Sequence, residues 1–325
     1  MTSYFDFPTL GPNGSDNVKT WIDTFQHSGG QYEPLTGIIA NDHAPNASGT
    51  LHMSLEAIFI EDHRKNQSYL ALKTGGSMEA LAWQAEINDN TAFLAWASEY
   101  HTQIFTGQDV TIFRAYPQVR TEEVIVTDNI GYTLREGFQD GFPNINQSKN
   151  WNTSISYDQK FYRTEMNHHD TTNVGWVVSL NKYGHSYDRT EFDRDRSSGA
   201  FGNQLFMKET TTLSGTAYEN LDKKDEIRGL PANLFSPHMM SIIISDKAKP
   251  YYDVTVKYLK YVDMYELVRT SIGVGYKYTG RNFKNIGVVQ YNQTFKVDWK
   301  NHKLIPQEQN LHLGHERKGN SVQII

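Results

Sequence analysis

The chain has 325 residues, with 31 Lys+Arg against 37 Asp+Glu and a formal net charge of −6; with no block of basic residues, a dedicated nucleic-acid binder is set aside, because such affinity rests on neutralising phosphates. There is no cysteine, which excludes disulfides, thiolate zinc sites and cysteine nucleophiles together. The content of 38% hydrophobic and 13% aromatic residues, including 19 Tyr and 6 Trp, supports a folded core rather than disorder, and length alone suggests about two domains.

In chain order, the opening Met1-Thr2-Ser3-Tyr4-Phe5-Asp6 lacks the basic and apolar regions of a signal peptide, so either the protein is not exported or it stands here with its leader already removed. Breaks fall at Gly11-Pro12-Asn13-Gly14, at Asn41 to Gly49 and at Asp140 to Asn150. Met78 to Glu86 reads as one short helix. Apolar runs such as Ala57-Ile58-Phe59-Ile60 and Ile242-Ile243-Ile244 are far below the about 20 residues of a membrane-spanning helix. Elsewhere apolar and polar residues alternate, as in Asp253-Val254-Thr255-Val256-Lys257-Tyr258 and Gln293-Thr294-Phe295-Lys296-Val297-Asp298-Trp299. The expected fold class is mainly β, antiparallel sheets packed as a sandwich. The residues from Pro306 on are polar and without period, and read as a tail.

One segment is richer than the rest. From Asp128 to Phe138 the even positions are Asp128, Ile130, Tyr132, Leu134, Glu136 and Phe138, against Asn129, Gly131, Thr133, Arg135 and Gly137. From Trp151 to Phe161 the parity reverses: Trp151, Thr153, Ile155, Tyr157, Gln159 and Phe161 are odd, against Asn152, Ser154, Ser156, Asp158 and Lys160. A hairpin folded about the midpoint pairs Phe138 with Trp151, Leu134 with Ile155 and Tyr132 with Tyr157 on one face. On the other it pairs Arg135 with Ser154, Thr133 with Ser156 and Asn129 with Lys160. Each arm has about the 9–11 residues of a tilted transmembrane β-strand. A lone hairpin cannot stay in hydrocarbon, because its edges present unpaired backbone groups, so closure requires other copies: at least about eight strands, hence no fewer than about four protomers. The same alternation also suits a hairpin with one face on the sandwich and the other wet. Asp128 and Glu136 share the lipid-facing phase and would have to lie near the two interfaces, where charge is tolerated.

Several motifs then follow in order. Val174-Gly175-Trp176 and Phe192-Asp193-Arg194-Asp195 precede Gly202-Asn203-Gln204-Leu205-Phe206-Met207-Lys208; Leu234-Phe235-Ser236-Pro237 comes next, and Phe295-Lys296-Val297-Asp298-Trp299 closes. Together with Pro117 and the hairpin, this order from about Tyr116 to Trp299 resembles the leukocidin and staphylococcal alpha-hemolysin family of β-barrel pore-forming toxins. The resemblance implies a β-sandwich cap with a rim region and an inserted stem hairpin. Residues 1–117 would hold the N-terminal segment and first part of the cap, 118–165 the pre-stem and stem, 166–305 the remaining cap with a rim at about 183–210 and 265–285, and 306–325 the tail. It implies a secreted, water-soluble monomer that binds target-cell membrane lipid or a receptor. Copies would self-associate into a ring, a heptamer or octamer, and release their stems to form one barrel, with no cofactor, no metal and no catalysed reaction. In the soluble form the stem would fold against the cap. In the pore, Asn129, Thr133, Arg135, Ser154, Ser156, Asp158 and Lys160 would line the lumen. Ile130, Tyr132, Leu134, Ile155, Tyr157 and Phe161 would face lipid, with Phe138 and Trp151 near the far interface.

The rim counterparts would offer Tyr187, Phe192, Arg194 and Arg196 from the first stretch and Tyr276, Tyr278, Arg281 and Phe283 from the second. Tyrosine beside arginine suits a headgroup layer, where rings reach apolar depth and guanidinium meets phosphate; a solvated β-edge would carry the same residues. Where the staphylococcal toxin places a Trp and an Arg that hold a choline headgroup, an ungapped match anchored on Gly202-Asn203-Gln204 puts Arg189 and Thr210. Enzyme motifs are absent: there is no GxSxG, HExxH or P-loop. His168-His169-Asp170 reads as a loop rather than a metal cluster, because neighbouring strand residues point to opposite faces. The rival function is a β-sandwich lectin or adhesin whose hairpin never leaves the core.

Overall fold

The computed structural model describes residues 18–34, 49–63, 66–79, 83–118, 125–133, 137–140, 151–158, 162–180, 201–208, 214–222, 234–245, 250–273 and 275–308. Among them lie strands β1 (Val18–Gly29), β2 (Gln31–Pro34), β3 (Leu51–Asp62), β4 (Gln67–Glu79), β5 (Trp83–Asn88), β6 (Thr91–Thr106), β7 (Thr111–Tyr116), β8 (Ile125–Thr133), β9 (Gly137–Asp140), β10 (Trp151–Asp158), β11 (Tyr162–His169), β12 (Asn173–Leu180), β13 (Leu234–Phe235), β14 (Met240–Ser245), β15 (Tyr251–Ser271), β16 (Tyr276–Asp298) and β17 (Lys303–Pro306).

A six-stranded sheet runs β1-β3-β4-β14-β7, with β13 also on β4; an eight-stranded sheet runs β11-β12-β6-β15-β16-β17, with β2 on β16 and β5 on β6. The two pack face to face. Leu55, Phe59 and Leu72 come from one, and Trp96, Tyr100, Trp176, Tyr258 and Phe295 from the other, in one buried core. The alternation foreseen at 253–258 is realised: Val254, Val256 and Tyr258 are fully buried while Asp253 is exposed. The mainly β, sandwich-type fold is therefore the observed one.

The described residues of 78–86 are strand, not helix. Met78 lies next to the end of β4, buried opposite Leu51 and paired with Phe235, and Trp83 to Asn88 form β5, which pairs with β6. Strand pairing at Met78 and Glu79, burial of Met78, and pairing from Trp83 on override the local helix preference of this stretch. The chain also makes one strand beyond the expected last one: β17, which includes Pro306, pairs with Phe295 to Asp298 of β16. His169 ends β11, and the Asp170 carboxylate accepts from the amides of Thr172 and Asn173 at 2.7 and 2.8 Å. Among the described residues no group of three or more His, Cys, Asp or Glu is arranged to hold a metal, and no helix is long and apolar enough to cross a membrane.

A lysine lies inside the sandwich. Lys260 is fully buried, and its Nζ donates to the Glu79 carbonyl at 2.7 Å; burial lowers its pKa to about 8, opposed by the Glu79 charge. Between that value and the ordinary 10.5 the unfolded chain holds a proton that the folded chain has released, so stability rises with pH there. Tyr100 and Tyr258 are buried and their hydroxyls are pushed above the ordinary 10.0; above that value the unfolded chain ionises first and stability falls. The expected melting temperature therefore climbs from about pH 8, peaks near pH 10 and drops beyond. Calorimetry across that range checks this, and Lys260→Met should flatten the rising limb.

Candidate functional site

Three regions were expected to carry function: the rim, the Gly202 motif and the stem. Of the residues expected in the second rim stretch, Tyr276, Tyr278, Arg281 and Phe283 all lie on β16, but their surroundings differ. Tyr276 is exposed, and the Arg269 guanidinium sits 4.3 Å from its ring centroid. Arg281 is exposed and stacks at 4.3 Å on Phe283, which is half-buried. Glu266 stands opposite Arg281, and burial raises its carboxyl pKa against the pull of that guanidinium. Tyr278 differs from the expectation: it is 3% exposed, and its hydroxyl donates to the Gly215 carbonyl at 2.7 Å. Loop 214–222 covers it, so Tyr278 braces the β15–β16 hairpin rather than facing outward. Tyr187, Phe192, Arg194 and Arg196 lie outside the described residues, as do Arg189 and Thr210. Of the first rim stretch, only 201–208 is described, and Leu205, Phe206 and Met207 in it are buried.

The Gly202 motif has a clear structural job. Gly202 has φ 64° and bridges Gly280 of β16. The Asn203 amide donates to the Gly280 carbonyl at 2.7 Å, and the Gly280 amide donates to the Phe201 carbonyl at 3.0 Å. Tyr265 Oη donates to the Asn203 carbonyl at 2.6 Å. Neither glycine can carry a side chain: a Cβ on Gly280 would lie 1.9 Å from the Asn203 carbonyl oxygen and 2.0 Å from Tyr265 Oη. Phe206 then packs edge-on against Trp96 and Tyr265, with centroids at 5.1 and 5.4 Å. Trp96 Nε1 donates to Asn282 Oδ1 at 3.3 Å, and Asn282 Nδ2 donates to the buried Asp263 at 2.8 Å. Ser98 Oγ and the Asn285 amide donate to the other Asp263 oxygen at 2.7 and 3.0 Å. Both oxygens of this buried carboxyl are thus supplied with donors, and the network ties β6, β15 and β16 together.

In the stem segment β8, β9 and β10 form a separate three-stranded sheet in the order β10-β8-β9. The register corrects the simple hairpin. Tyr132 stands opposite both Phe138 on β9 and Trp151 on β10, and Ile155 stands opposite Asp128 rather than Leu134. The reason is that β9 folds straight back on β8, which moves β10 by six residues relative to a hairpin closed at its midpoint. Six is even, so each residue keeps the strand phase assigned to it from the sequence. Backbone is described for Asn129, Ile130, Tyr132, Thr133, Phe138, Trp151, Ser154, Ile155, Ser156, Tyr157 and Asp158; Leu134, Arg135, Lys160 and Phe161 lie outside the described residues.

One feature was missed in the sequence. The six-stranded sheet is apolar and covered on both faces. Ile58, Ile60, Tyr69, Ala71, Tyr116, Met240 and Ile242 form a second cluster, each at most 5% exposed, on the face away from the sandwich core. Glu56 and Lys73, opposite one another in register, continue this face and are also buried. Burial raises the Glu56 pKa and lowers that of Lys73, each opposed by the other's charge. Glu56 Oε1 has no hydrogen-bond partner, an expensive state for a buried carboxyl.

The profile of the Leukocidin/Hemolysin toxin family matches residues 53–301. Gamma-hemolysin component B of Staphylococcus aureus (strain MW2) is 27% identical over 258 residues, 76% of this chain and 76% of that protein. Leucotoxin LukDv of Staphylococcus aureus (strain NCTC 8325 / PS 47) is 25% identical over 259 residues, with the same 76% shares. Among solved structures, Clostridium perfringens delta-toxin superposes with a TM-score of 0.69 at 16% identity, over 90% of this chain and 98% of that one. The Clostridium perfringens NetB toxin in its membrane-inserted form gives 0.58 at 18%, over 88% and 100%. At these identities the structural likeness shows the fold.

Proposed function

The chain belongs to the leukocidin/hemolysin toxin family of pore-forming cytolysins, and from that premise we propose how it acts: a secreted, soluble monomer binds a target membrane through its rim, gathers into a ring, and inserts one hairpin per protomer. The observation that carries this reading is the doubly covered six-stranded sheet. Its inner face packs on the other sheet, so its outer cluster of Ile58, Ile60, Tyr69, Met240 and Ile242 needs a different cover. In this reading the stem, residues 118–165, would supply that cover in the soluble form. A segment whose alternate residues are apolar can dock that phase on protein in one state and on lipid in another, provided its parity is kept. The folded-back register and the open hairpin differ by an even number and satisfy this. In the barrel, backbone groups at each stem edge would pair with neighbouring copies.

The buried Glu56 and Lys73 favour a removable cover over a permanent one. Two desolvated charges weaken docking relative to an apolar pair of the same size, which suits a segment that must leave. The reading needs no cofactor, metal or catalysed step.

The test is dye release from liposomes or red cells together with SDS-resistant bands of ring size. Leakage with rings is expected. Membrane binding with neither leakage nor rings on any susceptible membrane would favour a lectin or adhesin in which the hairpin stays in place.

A further inference from the structure

The outer face of the six-stranded sheet is not covered evenly. Thr24, Glu56, Lys73, Met240 and Tyr116 stand side by side across β1, β3, β4, β14 and β7. Along β1 this face stays in water: Ile22 is 45% exposed, and Thr24, Gln26 and Ser28 are exposed too. One strand in, Ile58 is buried and Glu56 is only 9% exposed, while Ser54, next along β3 on the same face, is half-buried. The margin of the cover therefore runs between β1 and β3 and turns at Glu56. A carboxyl occupies that corner, its Oε1 without a hydrogen-bond partner, with the buried Lys73 in register beside it. For both groups desolvation outweighs the pull of the other's charge, raising the pKa of Glu56 and lowering that of Lys73. A charged pair that is more stable in water than under cover thus stands where water first enters as the cover lifts.

We propose that Glu56 and Lys73 are the release pair of this protein: charged, they keep the threshold for the stem to leave the sheet low, and neutralisation of either partner latches the stem down. This rests on the pore-forming reading and adds a regulation to it. When the stem leaves, water reaches both groups and restores their ordinary values of 4.5 and 10.5. From 4.5 up to the raised value of Glu56, the covered form holds a proton that the open form has released, so acid favours the covered form. From 10.5 down to the lowered value of Lys73, the open form holds a proton that the covered form has lost, so alkali favours the covered form as well. Between these windows both groups are charged in both forms, and release is easiest there. Other titratable groups on this face stand further off. β3 adds His52 and Asp62 and β4 adds Tyr69 and Glu79, each at least four residues along its strand from the pair. β7 adds Arg114 and Tyr116, two strands from Lys73, and β1 and β14 add none. His238, beside Gly75, is the histidine to be separated from the pair. In the stem, the apolar phase of 128–138 and 151–161 carries Asp128 and Glu136 and no cation.

The test reads leakage per bound molecule on phosphatidylcholine–cholesterol vesicles from about pH 5 to about pH 10, with bound protein counted by flotation. The wild-type rate should be highest in the middle of that range and fall along an acid limb and an alkaline limb. Glu56→Gln should slow release and remove the acid limb, and Lys73→Met should slow it and remove the alkaline limb. The double variant should be flat and slowest, roughly ten- to several-hundredfold below wild type at equal binding, and should melt no lower. Its slowing should exceed the product of the two single effects, because each single variant also forfeits the attraction between the partners. His238→Gln should keep both limbs; loss of the acid limb there, with Glu56→Gln unchanged, would give the acid response to the imidazole and overturn the role of Glu56. Unchanged limbs in the two single variants would overturn the pair, and so would a double variant that melts lower than wild type; either result leaves pore formation standing. A wild type that binds and never leaks on any membrane would remove the pore-forming reading, and this inference with it.

Discussion

Ile155→Arg is expected to abolish leakage while leaving vesicle binding and ring assembly in place. Residue 155 belongs to the phase assigned to lipid and lies midway along β10. An arginine facing hydrocarbon at the midplane costs about 2–4 kcal/mol per copy. A ring multiplies this: seven or eight copies reach on the order of 14–32 kcal/mol, because all hairpins must cross together for the barrel to close. Ser154→Arg, one residue away on the other phase, should keep leakage and change only ion selectivity, since a lumen-facing cation stays in water. Dye release, ring bands on a gel and single-channel selectivity decide between them. Equal loss from both substitutions would mean that strand phase does not set the lipid face, and the barrel reading of residues 128–161 would fail.

Gly280→Ala is the second large effect. The added methyl would meet the Asn203 carbonyl and Tyr265 Oη near 2 Å, backbone on one side and a fully buried ring on the other. Overpacking at such a site costs about 3 kcal/mol or more, a drop in melting temperature of roughly 5 °C or more. Gly202→Ala should act on the same contact, since its Cβ would lie 2.3 Å from the Gly280 carbonyl oxygen at a φ of 64°. The two costs should therefore fall short of additive in the double variant. Thermal melts of the three variants check this, and full additivity would show that the glycines do not share one contact.

Local pattern made part of this molecule legible. Alternation at 253–258 and 293–299 placed Val254, Val256, Phe295 and Val297 in the core, because a strand has only two faces. It could not give the β8–β10 register, which depends on β9 intervening. Tyr276 and Tyr278 show another limit. They share a parity, yet Tyr276 is exposed while Tyr278 is buried with its hydroxyl on the Gly215 carbonyl of loop 214–222. Arg269 carried no local signal at all: its partners Asn90 and Gly215 are 179 and 54 residues away. The Gly202 motif was visible as a string, but its reason, the close approach of Gly280, lies 78 residues on. The expected helix at 78–86 failed partly for the same cause, since Met78 pairs with the distant Leu51 and Phe235, and partly because Trp83 to Asn88 fold back on the neighbouring β6.

The two flanks of the sandwich are unlike. On one, β1 meets β17 through Asp23, which accepts from Lys303 Nζ at 2.9 Å and from the Leu304 amide at 2.8 Å, with Trp21 stacked on His302 and Ile22 and Ile305 exposed. On the other, β7 leans on the β11–β12 turn through the Ile112 amide and the Thr171 carbonyl at 2.7 Å, with Phe113 exposed. Dissimilar sides can join only head to tail, and such a chain of copies closes when the turn per copy divides a full circle. Seven copies need about 51° and eight need 45°, a gap of about 6°. In the proposed ring, side-chain bulk along these flanks would bear on that angle, and through it on the bore of the channel.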